Sequence, residues 1–313
     1  MLLLWLAVTS GCSSSSDEQN DSLSAGGTKP QIVTTTGMVR DMVQTLVGSD
    51  AEVTAIMGPG VDPHLYQPSR GDSIKLLEAD IVIYNGLHLE GRLGEVLEAR
   101  AEANNATIAV AETLDDSELI DADAGLHDPH IWMNVALWKD AAVNVASALA
   151  DRMPEHAESI FERSADLEQE LEQLDQWGEA TIASIPESQR VLVTAHDAFQ
   201  YFGRAMGLQV IALQGVSTTT EAGLGDRASL VDLIKQQNIT AIFIETSVNP
   251  GAIEEIAKEC GVTVGGELFS DALGPKKHSS IGPNNKMFKA NTWSGMMVHN
   301  VSTIVRALSQ KPL

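Results

Sequence analysis

Short apolar runs rich in β-branched residues punctuate this chain, separated by longer stretches whose apolar positions recur every three or four residues. The first set is Gln31-Ile32-Val33-Thr34-Thr35, Val53-Thr54-Ala55-Ile56, Ile81-Val82-Ile83-Tyr84 and Thr107-Ile108-Ala109-Val110. A second set repeats the scheme at Val191-Leu192-Val193-Thr194, Gln209-Val210-Ile211-Ala212, Ala241-Ile242-Phe243-Ile244 and Val262-Thr263-Val264. Helical patterns lie between them, as from Gly37 to Val47 and from Ser73 to Ala79. Strands that alternate with helices predict an α/β fold with mostly parallel sheets flanked by helices on both faces. About 280 folded residues is long for one core and comfortable for two. The expectation is two lobes, residues 30–153 and 187–313.

Residues 154–186 carry an unusually long helical pattern between the lobes. Ile160, Leu167, Leu171, Leu174, Trp177 and Ile182 fall near one face from Pro154 to Ser184, with Glu, Gln and Asp elsewhere. Such a helix is about 45 Å long, enough to span both lobes as a backbone. A coiled-coil dimer would use the same stripe. The stripe is short and broken at Gly178, however, so a monomer is expected.

The N-terminus changes the picture of where this protein works. Met1 to Val8 is an apolar run too short to span a bilayer, leading into Thr9-Ser10-Gly11-Cys12. Small residues ahead of a cysteine resemble the bacterial lipoprotein cleavage box. Residues 1–12 are therefore expected to be a signal and lipobox segment, with Cys12 carrying lipid, although a basic leader is missing and Thr9 stands where Leu is commoner. Residues 13–29 are small, polar and Ser/Gly-rich, a tether that cannot bury enough apolar surface to fold. No later stretch approaches the roughly 20 apolar residues of a membrane helix. The expected location is the periplasm or the outer face of the cytoplasmic membrane.

Charge and cysteine usage narrow the class further. With 20 basic and 43 acidic residues the net charge is −23, which repels nucleic acid and weakly concentrates cations. The densest acidic patch, Asp115 to Asp123, reads as a solvated loop. Cys260 closes a helical pattern ahead of Gly261 and reads as a structural thiol; with Cys12 lipidated it has no disulfide partner.

Four segments place strong metal-ligating side chains at or beyond predicted strand ends. They are Asp62-Pro63-His64-Leu65-Tyr66, His127-Asp128-Pro129-His130-Ile131-Trp132, Thr194-Ala195-His196-Asp197 and Glu267-Leu268-Phe269-Ser270-Asp271. Three imidazoles and one carboxylate complete a shell for a divalent transition metal. Prolines stiffen the loops around His64 and His130 and lower the entropy lost on binding. His127 is an alternative ligand to His130, though a place at the rim of the site suits it better. His88 reads as structural, His299 as packed or hydrogen-bonded on the C-terminal helix, and Glu245 as a strand-end carboxylate orienting a ligand imidazole. A zinc hydrolase would need an open coordination position and commonly His-Glu-x-x-His on a helix; no such run exists. Gly223-Leu224-Gly225-Asp226-Arg227-Ala228 mimics a dinucleotide fingerprint, but no strand leads into it, and it reads as a mobile loop.

Layout and motifs together resemble the zinc/manganese substrate-binding proteins of bacterial metal-uptake ABC transporters, from about Gln31 to Leu308. The resemblance is carried by Pro63-His64-Leu65-Tyr66-Gln67-Pro68, Asp128-Pro129-His130-Ile131-Trp132-Met133-Asn134, Ala195-His196-Asp197-Ala198-Phe199, Gly266-Glu267-Leu268-Phe269-Ser270-Asp271 and Met296-Met297-Val298-His299-Asn300. It implies His64, His130, His196 and Asp271 as the metal ligands, two from each lobe. It also implies a cargo of Zn²⁺ or Mn²⁺, a permease with its ATPase as partners, and no catalysis. Three imidazoles favour Zn²⁺, whereas the acidic loop lacks the histidine run common in zinc relatives. A metal-binding surface adhesin on the same fold is the neighbouring alternative.

Overall fold

The computed structural model describes residues 29–103, 106–122 and 125–309. The expected lipobox with Cys12, and the tether up to residue 28, lie outside the described residues.

Strands β1 (Gln31–Thr34), β2 (Glu52–Ala55), β3 (Ile81–Tyr84) and β4 (Thr107–Ala109) form one parallel sheet in the order β2-β1-β3-β4. The period of two along these strands divides their side chains between two layers. Ile32, Ile81 and Ile83 face the layer of helix α1 (Gly37–Val47), while Val33, Val82 and Tyr84 pack with Leu76 and Leu97 of α2 (Arg70–Glu78) and α3 (Gly94–Ala103). That explains why β3 is apolar at every position. Helix α2 starts three residues before the predicted pattern. Ser69 caps it, accepting from the Asp72 N–H while the Asp72 carboxylate accepts from the Ser69 N–H. The apolar period is blind to such a polar first turn.

After α4 (Val135–Arg152) and a 3-10 turn at Pro154–His156, helix α5 (Ala157–Ile182) runs for 26 residues, about 39 Å. It passes through Gly178 without a break. A Cβ there would stand 3.2 Å from Met206 Cε, so the glycine admits a close neighbour rather than ending the helix.

The C-terminal half pairs β5 (Val191–Thr194) with β6 (Gln209–Ala212), and β7 (Ala241–Glu245) with β8 (Thr263–Leu268), all parallel. Strand β7 lies beside β5. Helices α6 (Gln200–Met206), α7 (Leu224–Gln236), α8 (Gly251–Cys260) and α9 (Trp293–Leu308) cover them. Two sequence expectations change here, and the structure adds a hairpin. Gly223 precedes α7, and the Asp226 carboxylate accepts its N–H at 2.8 Å, so the glycine-rich stretch is a helix start and not a mobile loop. Strand β8 continues through Gly265 and Gly266, where a Cβ would come within 2.8 Å of Phe243 and Ala307 or 2.5 Å of Thr303. An antiparallel hairpin, β9 (Ser279–Ile281) with β10 (Met287–Lys289), turns through Asn284 and Asn285 at positive φ.

The cores are not separate. The largest apolar cluster takes Ile32 and Leu46 from the first half, Trp138, Ile160 and Leu174 from α4 and α5, and Phe202, Met296 and Ile304 from the second. Smaller clusters fill only the outer layers of each half. The expectation of two independent cores is corrected by α5, which brings α1, α4 and α9 into one packed layer. Its apolar stripe is used up within the chain.

Candidate metal centre

Each sequence-predicted ligand sits beyond a strand and is held by a polar partner. His64 lies on the loop between β2 and α2, where the Asp62 carboxylate accepts its backbone N–H at 2.8 Å. Gly91, at φ +48°, lets the chain pass so close that a Cβ would lie 2.7 Å from the His64 carbonyl oxygen. His130 precedes a 3-10 turn, and Asp128 Oδ1 accepts from both its backbone N–H (2.9 Å) and Nδ1 (2.7 Å). The Tyr201 hydroxyl donates to the Asp128 carbonyl at 2.9 Å, and Asn85 Nδ2 to the Pro129 carbonyl at 3.0 Å.

His196 follows β5 by two residues. Glu245, the last residue of β7, takes the Ala195 and His196 N–H groups on Oε1 (2.9 and 3.0 Å) and sets Oε2 2.6 Å from His196 Nδ1. Asp271 lies three residues past β8. Asn300 clamps both backbone groups of Phe269 at 2.9 and 2.7 Å, and Trp132 Nε1 donates to the Ser270 carbonyl across the two halves. Parallel strands thus deliver all four ligand loops at their carboxyl ends, where open α/β sheets place sites.

The fold brings these four side chains together and buries them, with one donor atom of each within 4.8 Å of the others. His64 Nε2 stands 3.3 Å from His130 Nε2. Asp271 Oδ1 is 3.4 Å from His130 Nε2, while its Oδ2 is 3.1 Å from His196 Nε2 and 4.0 Å from His64 Nε2. Donors bound to a tetrahedral ion at about 2.0–2.1 Å stand about 3.3–3.4 Å apart. Neither Asp271 oxygen has a partner with hydrogen-bond geometry, although the residue is 2 % exposed. A buried carboxylate without hydrogen bonds, facing imidazole nitrogens at ligand spacing, fits a divalent ion at their centre.

Electrostatics differ among the rings. Burial drives His64 down to about 3, so its ring is neutral. Burial also works against the charged form of His130, but the Asp128 and Asp271 carboxylates outweigh it and hold the ring at about 9. His196 behaves likewise: burial opposes its charge, and Glu245 with Asp271 holds it well above the usual histidine range. Burial would raise Asp271, yet the imidazoles keep it well below the ordinary carboxylate range.

A cavity of about 650 Å³ opens beside the cluster, lined by His64 and Pro129 on one side and by Leu213, Val216 and Thr219 on the other. His64, 7 % exposed, is the ligand at its edge, and His130 is fully buried. Over this edge the Thr218 hydroxyl donates to Asp62 at 2.6 Å. His127 lines the same cavity, 3.0 Å from Asp116, and stays outside the cluster. His88 is exposed, 3.8 Å from Glu98. His299 hydrogen-bonds on α9, and Cys260 packs at the margin of an outer cluster. Sequence reasoning singled out Glu245 but missed Asp128 as the partner of His130. The adjacency in Asp128-Pro129-His130 was the available signal. It missed Asn85 and Thr218 too, whose contacts leave no trace in local sequence.

Comparison with known proteins places the chain in a family. The family described as "ZnuA: Zinc-uptake complex component A periplasmic" matches residues 32–307. The chain is 43 % identical over 284 residues to the manganese-binding lipoprotein MntA of Bacillus subtilis, covering 89 % of each. It is 40 % identical over 287 residues to the zinc-binding protein TroA of Treponema pallidum, covering 90 % of each. The solved structure of that periplasmic zinc-binding TroA superposes with a TM-score of 0.84 at 39 % identity, covering 90 % of this chain and 100 % of the other. The chain belongs to the ZnuA family of periplasmic zinc-uptake components.

Proposed function

We propose that this protein captures one divalent transition-metal ion, Zn²⁺ or Mn²⁺, with His64, His130, His196 and Asp271, and delivers it to the permease of an ABC transporter. The observation that carries the reading is the Asp271 carboxylate, buried without hydrogen bonds and surrounded by three imidazoles at ligand spacing. Four protein donors fill a tetrahedral shell and leave no position for an activated water, so the site serves binding and not hydrolysis. Asp128 holds the His130 ring through a hydrogen bond to Nδ1, and Glu245 faces His196 Nδ1 as a close ion pair at 2.6 Å, which presents each Nε2 to the ion.

The donor set suits Zn²⁺, and affinity alone favours Zn²⁺ over Mn²⁺ in such a site. The relatives are named for both ions. Residues 30–153 and 187–313 act as lobes around 154–186. Their shared core resists a hinge, so release proceeds by local movement of the His64 loop at the cavity edge. Cys12 anchors the chain by lipid to the outer face of the membrane, a reading supported by relatives that are named lipoproteins. Among the described residues no helix is long and apolar enough to cross a membrane.

Competitive titration of chelator-stripped protein with Zn²⁺ and Mn²⁺, with elemental analysis, tests the assignment. One tight ion per chain is expected, and His130→Ala or Asp271→Asn should lose it while retaining parental circular dichroism. Undiminished affinity in either variant would overturn the ligand set.

A further inference from the structure

A pair of histidines stands apart from the buried centre, where α9 meets the turn before β9. His278 Nε2 and His299 Nδ1 lie 2.9 Å apart. Both carriers are fixed. The His278 backbone donates to the Pro275 carbonyl and accepts from the Ala290 N–H, each at 2.9 Å, and His299 sits on helix α9. His299 Nε2 stands 2.9 Å from the Glu267 carbonyl oxygen, which can only accept. Nε2 must therefore carry the proton, and Nδ1 presents its lone pair to His278. Donation of the far ring nitrogen to a carbonyl is the arrangement that orients metal-ligating histidines.

We infer that His278 and His299 form a second, surface ion site that takes a divalent ion of tetragonal preference, Cu²⁺ or Ni²⁺, through two adjacent ligand positions. The spacing carries the assignment. At metal–nitrogen distances of about 2.0–2.1 Å, ligands at 90° stand about 2.8–3.0 Å apart, against about 3.3–3.4 Å at the tetrahedral angle. Nitrogens 2.9 Å apart can occupy adjacent positions of one shell, and square-planar or tetragonal nitrogen and oxygen sites are those of Cu²⁺ and Ni²⁺. His278 needs only its other tautomer, with the proton on Nδ1, to turn Nε2 from donor to ligand. Water completes the shell, because His278 is exposed. Phe269, its ring 4.5 Å from that of His299, walls the inner side, and burial pulls the His299 ring below the usual histidine range, keeping it neutral at pH 7.

The inference is independent of the buried centre, and Cu²⁺ alone serves as the probe. Equilibrium titration should give two tight equivalents in the parent, one in His278→Gln, one in His130→Ala, and none in the double variant. Electron paramagnetic resonance of His130→Ala with one Cu²⁺ should show a tetragonal signal split by two nitrogens. His299→Gln should reproduce the loss seen in His278→Gln, and retention of one Zn²⁺ by each shows that they fold. Two Cu²⁺ equivalents in His278→Gln, or none in His130→Ala, would overturn the surface site. Failure of His130→Ala to lose an ion would instead overturn the buried one.

Discussion

Glu245 offers a sharp test of how this centre is organised, because one substitution changes a proton position while leaving shape unchanged. Its Oε1 accepts two backbone N–H groups and its Oε2 stands 2.6 Å from His196 Nδ1. In Glu245→Gln the amide oxygen is held by the two backbone donors, so the NH₂ group must face Nδ1. Two donors then meet, and the imidazole relieves the conflict by moving its proton to Nε2, the atom that faces Asp271 at 3.1 Å. A ring protonated at Nε2 cannot ligate. Loss of a partner that orients a metal ligand costs 10–100-fold in affinity in general, about 1.4–2.8 kcal/mol. The upper end applies here because the residue is 2 % exposed and water cannot substitute. Competition against a fluorescent zinc chelator at pH 7.5 should show a roughly hundredfold weaker Zn²⁺ complex with one ion per chain. An affinity within threefold of the parent would refute the claim that Glu245 sets the tautomer.

Three further outcomes follow from the same geometry. His130, held at about 9, and His196, held well above the usual histidine range, keep their protons at neutral pH, whereas His64 does not, so Zn²⁺ binding should release about two protons and tighten as pH rises toward 9. Calorimetry in buffers of different ionisation enthalpy counts them, and release of none would contradict the electrostatics. The same raised values stabilise the folded chain fully below pH 6.5, a contribution lost as pH rises through about 9, so the chelated protein should melt lower at pH 9.5 than at 7 through this pair. Thr218→Val removes the 2.6 Å hydrogen bond to Asp62 across the cavity edge, worth about 1.5–3 kcal/mol to a charged acceptor. Stopped-flow transfer of Zn²⁺ to excess chelator should be at least roughly tenfold faster; an unchanged rate would show that this contact does not hold the His64 loop.

Much of the site was legible because metal ligands are few in kind and strong in character. His64 and His130 stand on proline-stiffened loops, and His196 and Asp271 follow apolar runs that became β5 and β8. Glu245 could be suspected because it ends a run that became β7. Asp128 was quoted within the His130 segment but given no role of its own, although it makes the shortest contact to that ring. The two-core expectation failed for a different reason. Length bounds how much core a chain can build, but the clustering of Ile160, Leu171 and Leu174 with residues of both halves depends on where α1, α4 and α9 dock on α5.

The sequence by itself determined the element types, the parallel α/β class, the long helix and the identity of the donor atoms. Those properties live in local periodicity and in residue chemistry, which each stretch of chain carries with it. Only the tertiary structure decided that donors from positions 64, 130, 196 and 271 meet within 4.8 Å, that Asp271 is left without hydrogen bonds, and that His278 and His299 face each other across 2.9 Å. Such convergence is fixed by packing between distant segments, which no single stretch of sequence records.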